Sequence, residues 1–207
     1  MPASFQRERL RQALADSPLD APLAGQRCAA IALVLLEVDT GLEALLIERA
    51  ERSGDPWSGH MALPGGHLEE RDVDLGAAAE RETLEEVGLD LRRFGERLGR
   101  LSDSAPVQGV PLAVRPFVYL LQTRPVLTLS DEVRQALWVP IAPLQRGERR
   151  TSFELSRAGE RRQFPAWDID GHIVWGLTYR VLAEFFRRFN EVSASESATL
   201  DNSQQPR

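Results

Sequence analysis

Apolar residues follow one another without a break from Cys28 to Leu36, and the aliphatic and β-branched stretch CAAIALVLLEV predicts a strand over Cys28–Val38. Asp39-Thr40-Gly41 then carries turn chemistry, and a second apolar run, Leu42 to Ile47, completes a β-hairpin. A shorter strand, Met61 to Leu63, meets Pro64-Gly65-Gly66, where proline removes a ladder donor and glycine permits positive φ. The chain is expected to open into a loop there. Asp72 or Asp74 caps a helix that runs through an alanine-rich stretch to Val87, with Gly88 at the left-handed terminus. Strands follow near Leu98–Leu101, Val114–Gln122 and Ala136–Val139, with weaker ones between Thr151 and Trp175. Leu177 to Phe189 has helical apolar spacing and predicts a last helix packed on the sheet.

The ends differ from this core. MPASFQRERLRQAL mixes charges with a helical apolar stripe, so the pattern predicts an amphipathic helix rather than a signal peptide. After Asn190 the residues are small and polar, which predicts a disordered tail. The expected organisation is a helix and linker over residues 1–24, one domain over 25–190 and a tail over 191–207. Strands and helices together make the class α/β in the broad sense, α+β.

Composition narrows the chemistry. The chain has 207 residues, 43% apolar and 27% charged, enough for one core. Its 25 basic residues are all arginine and face 31 acids, for a net charge of -6. Schiff-base and phosphate-loop lysine chemistry is therefore excluded. An acidic chain without a basic stripe is not expected to bind nucleic acid, although local arginines suit small anions. Cys28 stands alone, which removes disulfide and thiolate-metal chemistry and leaves a small buried hydrophobe. No apolar run approaches the roughly 20 residues of a membrane span, so a cytoplasmic protein is expected.

Glu82, Glu85 and Glu86 stand at i, i+3 and i+4 of the central helix, on one face. On a merely solvated helix basic residues at those offsets would be favourable, whereas acids repel. A hard divalent cation reverses the sign of that cost.

The string Arg81-Glu82-Thr83-Leu84-Glu85-Glu86-Val87-Gly88-Leu89, preceded by Gly65-Gly66, resembles the Nudix box of the Nudix hydrolases, G-x5-E-x7-R-E-U-x-E-E-x-G-U with U aliphatic. Thr83 replaces the first U, Asp72 stands where glutamate is usual, and the spacing to Arg81 is one residue longer. That lengthened loop is similar to the coenzyme A pyrophosphatase branch, as are Gly59-His60-Met61-Ala62-Leu63-Pro64-Gly65-Gly66 and Gly171-His172-Ile173-Val174-Trp175-Gly176-Leu177-Thr178. Trp57 replaces that signature's histidine, and one extra residue separates Arg49 from Gly59.

The resemblance implies the Nudix fold, a mixed β-sheet sandwiched between helices. It also implies metal-dependent hydrolysis of a nucleoside diphosphate derivative. Coenzyme A or an acyl-CoA is the first candidate, with ADP-ribose or another nucleotide sugar, or a non-catalytic nucleotide-binding module, as the alternatives. Glu82, Glu85 and Glu86 are the implied ligands of Mg²⁺ or Mn²⁺, the carbonyl of Gly66 completes the shell, and Arg81 orients a glutamate. Independently of metal, Gly66 is expected to supply positive φ. The proton acceptor is a box glutamate or a later acid, of which Glu132 is the best candidate. Arg49, Arg52 and Arg115 are candidate phosphate contacts because guanidinium forks match phosphate oxygens. His60, His67 and His172 are not spaced as metal ligands, and Trp57, Trp167 and Trp175 are packing residues or adenine platforms. The expected partner is a small diphosphate, and a homodimer is compatible with the sequence.

Overall fold

The apolar run at Cys28 becomes the central strand of a mixed sheet because both of its faces find cover. The computed structural model describes residues 3–15, 27–54, 57–105, 112–157 and 160–203. Its elements are α1 (Ala3–Leu14), β1 (Arg27–Val38), β2 (Gly41–Arg49), β3 (Met61–Ala62), β4 (Gly65–His67), α2 (Leu75–Val87), α3 (Leu91–Phe94), β5 (Glu96–Arg100), β6 (Leu112–Leu121), β7 (Val133–Pro140), α4 (Ile141–Gln145), β8 (Arg150–Arg157), β9 (Glu160–Ile169), β10 (His172–Trp175) and α5 (Gly176–Ser203). A seven-stranded sheet runs β3-β2-β1-β6-β5, with β4 also on β1 and β7 also on β2. Among the described residues only the β1–β6 pairing of this sheet is parallel. A second sheet has the order β10-β9-β8.

The expected hairpin forms, with Leu36 opposite Glu43 and Val38 opposite Gly41. Beyond the Leu35–Ala44 pair the two strands part, and the segment after Gly59 fills the gap. There β3 pairs with β2 through Ala62 and Ile47, and β4 pairs with β1 through Gly66 and Ala30. Pro64-Gly65-Gly66 therefore does not open into a loop. Proline sits between two short strands, its carbonyl accepts from Ala32 N–H at 2.8 Å, and pairing with β1 overrides the local breaker chemistry.

Alternation along β1 divides the core. Leu33 and Leu35 join Leu10, Leu14, Trp167, Val181 and Phe185 under α1, α5 and the small sheet. Ala32, Val34 and Leu36 face Ala78, Ala79, Val87 and Leu91 under α2 and α3. Alanine on both sides of that second contact brings α2 close to the sheet.

Two short helices, α3 and α4, form where the residue pattern predicts none; Asp90 caps α3 by accepting from Arg92 and Arg93 N–H. The last helix continues to Ser203, past the position where composition predicts disorder. No glycine or proline interrupts the chain between Leu177 and Ser203, so the intrahelical ladder has no reason to stop. Most of the expected linker, residues 16–24, lies outside the described residues. Cys28 is half-buried rather than buried.

Candidate active site

Helix α2 is fixed at both ends. Asp74 Oδ1 accepts from Ala77 N–H at 2.7 Å, while Gly88, at φ 69°, closes the carboxyl end by donating to the Leu84 carbonyl. Between these caps the acidic side chains take three different environments. Glu86 is only 4% exposed and accepts from Gly65 N–H at 2.9 Å. Glu82 lies against the backbone of Gly66, and Glu85 is half exposed.

Arg81 organises the cluster. Its Nε and Nη2 each donate at 3.0 Å to the two oxygens of Asp72, a bidentate fork, and Nη2 also donates to the His67 carbonyl at 3.0 Å. Nη1 reaches Glu82 Oε1 at 2.9 Å and Glu85 Oε2 at 3.0 Å. Asp72 is thus not a helix cap; Asp74 takes that role and Asp72 anchors Arg81.

The fork with Arg81 holds the Asp72 carboxyl below its ordinary range. Burial pushes Glu82 up against the opposing pull of Arg81. Burial pushes Glu86 up to about 8, with the charge of Glu82 adding to it, while the Gly65 N–H bond and Arg49 oppose the rise.

Gly66 is required for a different reason than positive φ. The positive φ, 146°, belongs to Gly65, where a β-carbon would lie 2.2 Å from the Ala30 carbonyl. At Gly66 a β-carbon would instead collide with the Glu82 carboxylate.

Glu132 approaches the cluster because its segment is fastened to α2. Thr128 N–H donates to Val87 O at 3.0 Å, Ser130 N–H to Glu86 O at 2.9 Å, and Ala50 N–H to Glu132 O at 2.8 Å. The Glu132 carboxylate is close enough to raise Glu86, and it accepts from Arg52 Nη1 at 2.9 Å. Arg49, at the end of β2, also acts on Glu86. Arg52 lies among acids, with Asp131 at 3.4 Å as a second partner.

Arg115 is placed elsewhere. Its side chain is 4% exposed and forks onto Asp103 through Nε at 2.8 Å and Nη2 at 2.9 Å, so the guanidinium is engaged within the fold. Sequence spacing also missed Arg71, which reaches Glu69 at 2.8 Å and Glu85 at 3.1 Å from the lengthened loop. No local pattern signals that contact, since it depends on how the loop folds over α2. Among the tryptophans, Trp167 is buried against Tyr179 and Trp175 stacks on Phe153 at 4.0 Å, both in packing roles. His172 faces Glu48, and His60 meets the Trp175 ring edge-on.

Among the described residues no three His, Cys, Asp or Glu side chains already converge at metal-ligand spacing. Glu86 turns inward to Gly65, while Glu85 turns outward to Arg71 and Arg81. The donor set nevertheless fits a hard divalent ion: it is made of oxygens, and it includes a buried carboxyl that a cation would relieve of its desolvation cost.

Residues 26–158 match the family model of the NUDIX domain, and the chain belongs to the Nudix family. It is 42% identical over 117 residues to an uncharacterized protein of Schizosaccharomyces pombe, covering 54% of this chain and 36% of that one. It is 28% identical over 172 residues to Nudix hydrolase 22, chloroplastic, of Arabidopsis thaliana, covering 74% and 52%. The matched region thus spans about a third to a half of these relatives. The fold is similar to that of a crystal structure of a Nudix hydrolase from M. Smegmatis, RenU, with TM-score 0.51, 17% identity and coverage of 84% and 90%. No helix among the described residues is long and apolar enough to cross a membrane.

Proposed function

We propose that the protein hydrolyses the diphosphate linkage of a nucleoside diphosphate derivative, with Mg²⁺ or Mn²⁺ held by Glu82, Glu85, Glu86 and the Gly66 carbonyl. The observation that carries this is the arrangement of α2 against β4: three carboxylates beside a bare glycine backbone, ordered by an arginine that Asp72 locks. A protein that only bound nucleotides would have no need to crowd like charges in this way.

A bound divalent ion supplies positive charge for the phosphoryl oxygens and lowers the pKa of water. The remaining work belongs to the chain. Arg81 keeps Glu82 and Glu85 on one side of the helix. Arg49, beside Glu86, contacts phosphate. Glu132, whose charge acts on Glu86, takes the proton of the attacking water.

Coenzyme A or an acyl derivative is the proposed substrate. Supporting this, the two further segments similar to that branch meet in space: Thr178 Oγ1 donates to the Met61 carbonyl at 3.1 Å, and His60 lies 5.2 Å from Trp175, ring centre to ring centre. The test is a panel of coenzyme A, its 3′-dephospho form and ADP-ribose with each metal, identifying products by mass. Cleavage within the coenzyme A diphosphate should give phosphopantetheine and adenosine 3′,5′-bisphosphate. Loss of the 3′-phosphate should lower kcat/KM about 10- to 150-fold if an arginine pairs with it. Preference for ADP-ribose would replace coenzyme A and leave diphosphate hydrolysis standing. No turnover of any diphosphate would overturn the enzyme assignment.

A further inference from the structure

Between β2 and β3 the chain leaves the sheet and returns, and this excursion is tied to the segment that carries Glu132. Its base is closed by Gly59 N–H donating to Arg49 O at 3.1 Å, and its side by Ala50 N–H donating to Glu132 O at 2.8 Å. Within it Ser58 Oγ both accepts from Arg52 N–H at 2.9 Å and donates to Arg52 O at 3.0 Å, so the backbone at Arg52 is held from two directions. The guanidinium then reaches Glu132 Oε1 at 2.9 Å and Asp131 at 3.4 Å.

We infer that Arg52 is a positioning residue, holding the Glu132 carboxylate toward the α2 cluster and acting on the reaction through Glu132 rather than by contacting substrate phosphate. This rests on Glu132 being the proton acceptor proposed above. Two considerations favour it. A carboxylate on a segment between elements has several rotamers in solvent, and a general base is effective only when one is held within hydrogen-bond reach of the reacting water. Both side chains are about half exposed, at 45% and 48%, so the pair is weak as a source of stability and the Glu132 side chain stays within reach of water. The reciprocal Ser58 bonds fix the backbone from which the arginine side chain extends, as an orienting role requires.

The test is a double-mutant cycle between Arg52 and Glu132, with kcat and KM measured separately for coenzyme A and for ADP-ribose in Mg²⁺. Arg52→Gln is expected to lower kcat about tenfold and leave KM within about twofold; Arg52→Lys, which keeps the charge, should recover part of kcat. In a Glu132→Gln background, Arg52→Gln should change kcat less than about twofold, because the group it positions no longer acts. A rise in KM with kcat unchanged would make Arg52 a phosphate contact and overturn the inference. So would equal effects of Arg52→Gln with and without Glu132, which leave the base assignment intact. Full activity of Glu132→Gln overturns the base assignment and the inference with it, as does failure to turn over either probe.

Discussion

A β-carbon on Gly66 would lie 2.3 Å from Oε1 of Glu82, so this carboxylate rests directly on the bare backbone of β4. The adjacent glycine meets a different obstacle, the Ala30 carbonyl and the Ile31 Cα, at 2.2 and 2.6 Å. Neighbouring residues of one short strand are thus constrained by the site in one case and by the fold in the other.

Gly66→Ala and Gly65→Ala should therefore separate activity from stability. At Gly66 the obstacle is the end of a flexible side chain, so unfolding free energy should change by no more than about 1 kcal/mol while kcat falls about 10- to 100-fold as Glu82 is displaced. At Gly65 backbone atoms block the methyl group and φ is 146°, which should cost about 3 kcal/mol or more. Urea unfolding and steady-state rates on the two variants check both expectations.

Asp72 should govern the acid side of the stability curve. Its folded pKa is depressed, so its contribution is fully present above the unfolded value, near 3.8, and is lost as pH falls through the folded value. Asp72→Asn should cost about 2–4 kcal/mol at pH 7, because it leaves the 12% exposed Arg81 side chain without its fork. The gap to the parent should shrink below about pH 4. Urea midpoints at pH 7 and pH 3 measure this, and an unchanged gap would remove Asp72 as the source.

What was legible in the sequence follows how local each feature is. Helix α2 has its cap at Asp74, its terminus at Gly88 and its acids at helical offsets within one continuous stretch, so position and face could be read together. The role of Pro64-Gly65-Gly66 could not: locally it is a breaker, and only the parting of β1 and β2 turns it into paired strand. Asp72 was visible as a box position, but its bond to Arg81 depends on the path of the lengthened loop. Arg52 and Arg115 look alike among 25 arginines, and only their surroundings, Glu132 in one case and Asp103 in the other, tell them apart.

Glu86→Gln should stabilise the metal-free protein while abolishing its activity. Burial raises the folded pKa of Glu86 to about 8, above the unfolded 4.5, so stability is fully present below 4.5 and is lost as pH rises through the folded value. A neutral glutamine can still accept from Gly65 N–H through its side-chain oxygen, without the buried charge. In chelator at pH 8–9 the variant should be about 1–3 kcal/mol more stable than the parent, with kcat reduced about 100-fold or more when metal is restored. Denaturation in chelator at pH 5 and pH 9 tests the sign: the advantage should appear at the higher pH and fade at the lower.

The fork between Arg115 and Asp103 predicts a variant that is damaged in stability and normal in substrate affinity. Both Nε and Nη2 are engaged at 2.8 and 2.9 Å, and lysine, with a single ammonium, cannot reproduce that geometry. Arg115→Lys should cost about 2 kcal/mol, and Arg115→Ala about 3–5 kcal/mol, because Asp103 is left facing a partly buried gap. KM for a diphosphate substrate should stay within about twofold in the lysine variant. Arg49→Gln provides the contrast: Arg49 acts on Glu86 from the end of β2, and its loss should raise KM about tenfold with little change in stability. Measured together by urea unfolding and steady-state kinetics, the two substitutions should move different quantities. A raised KM with unchanged stability in Arg115→Lys would return Arg115 to the substrate site.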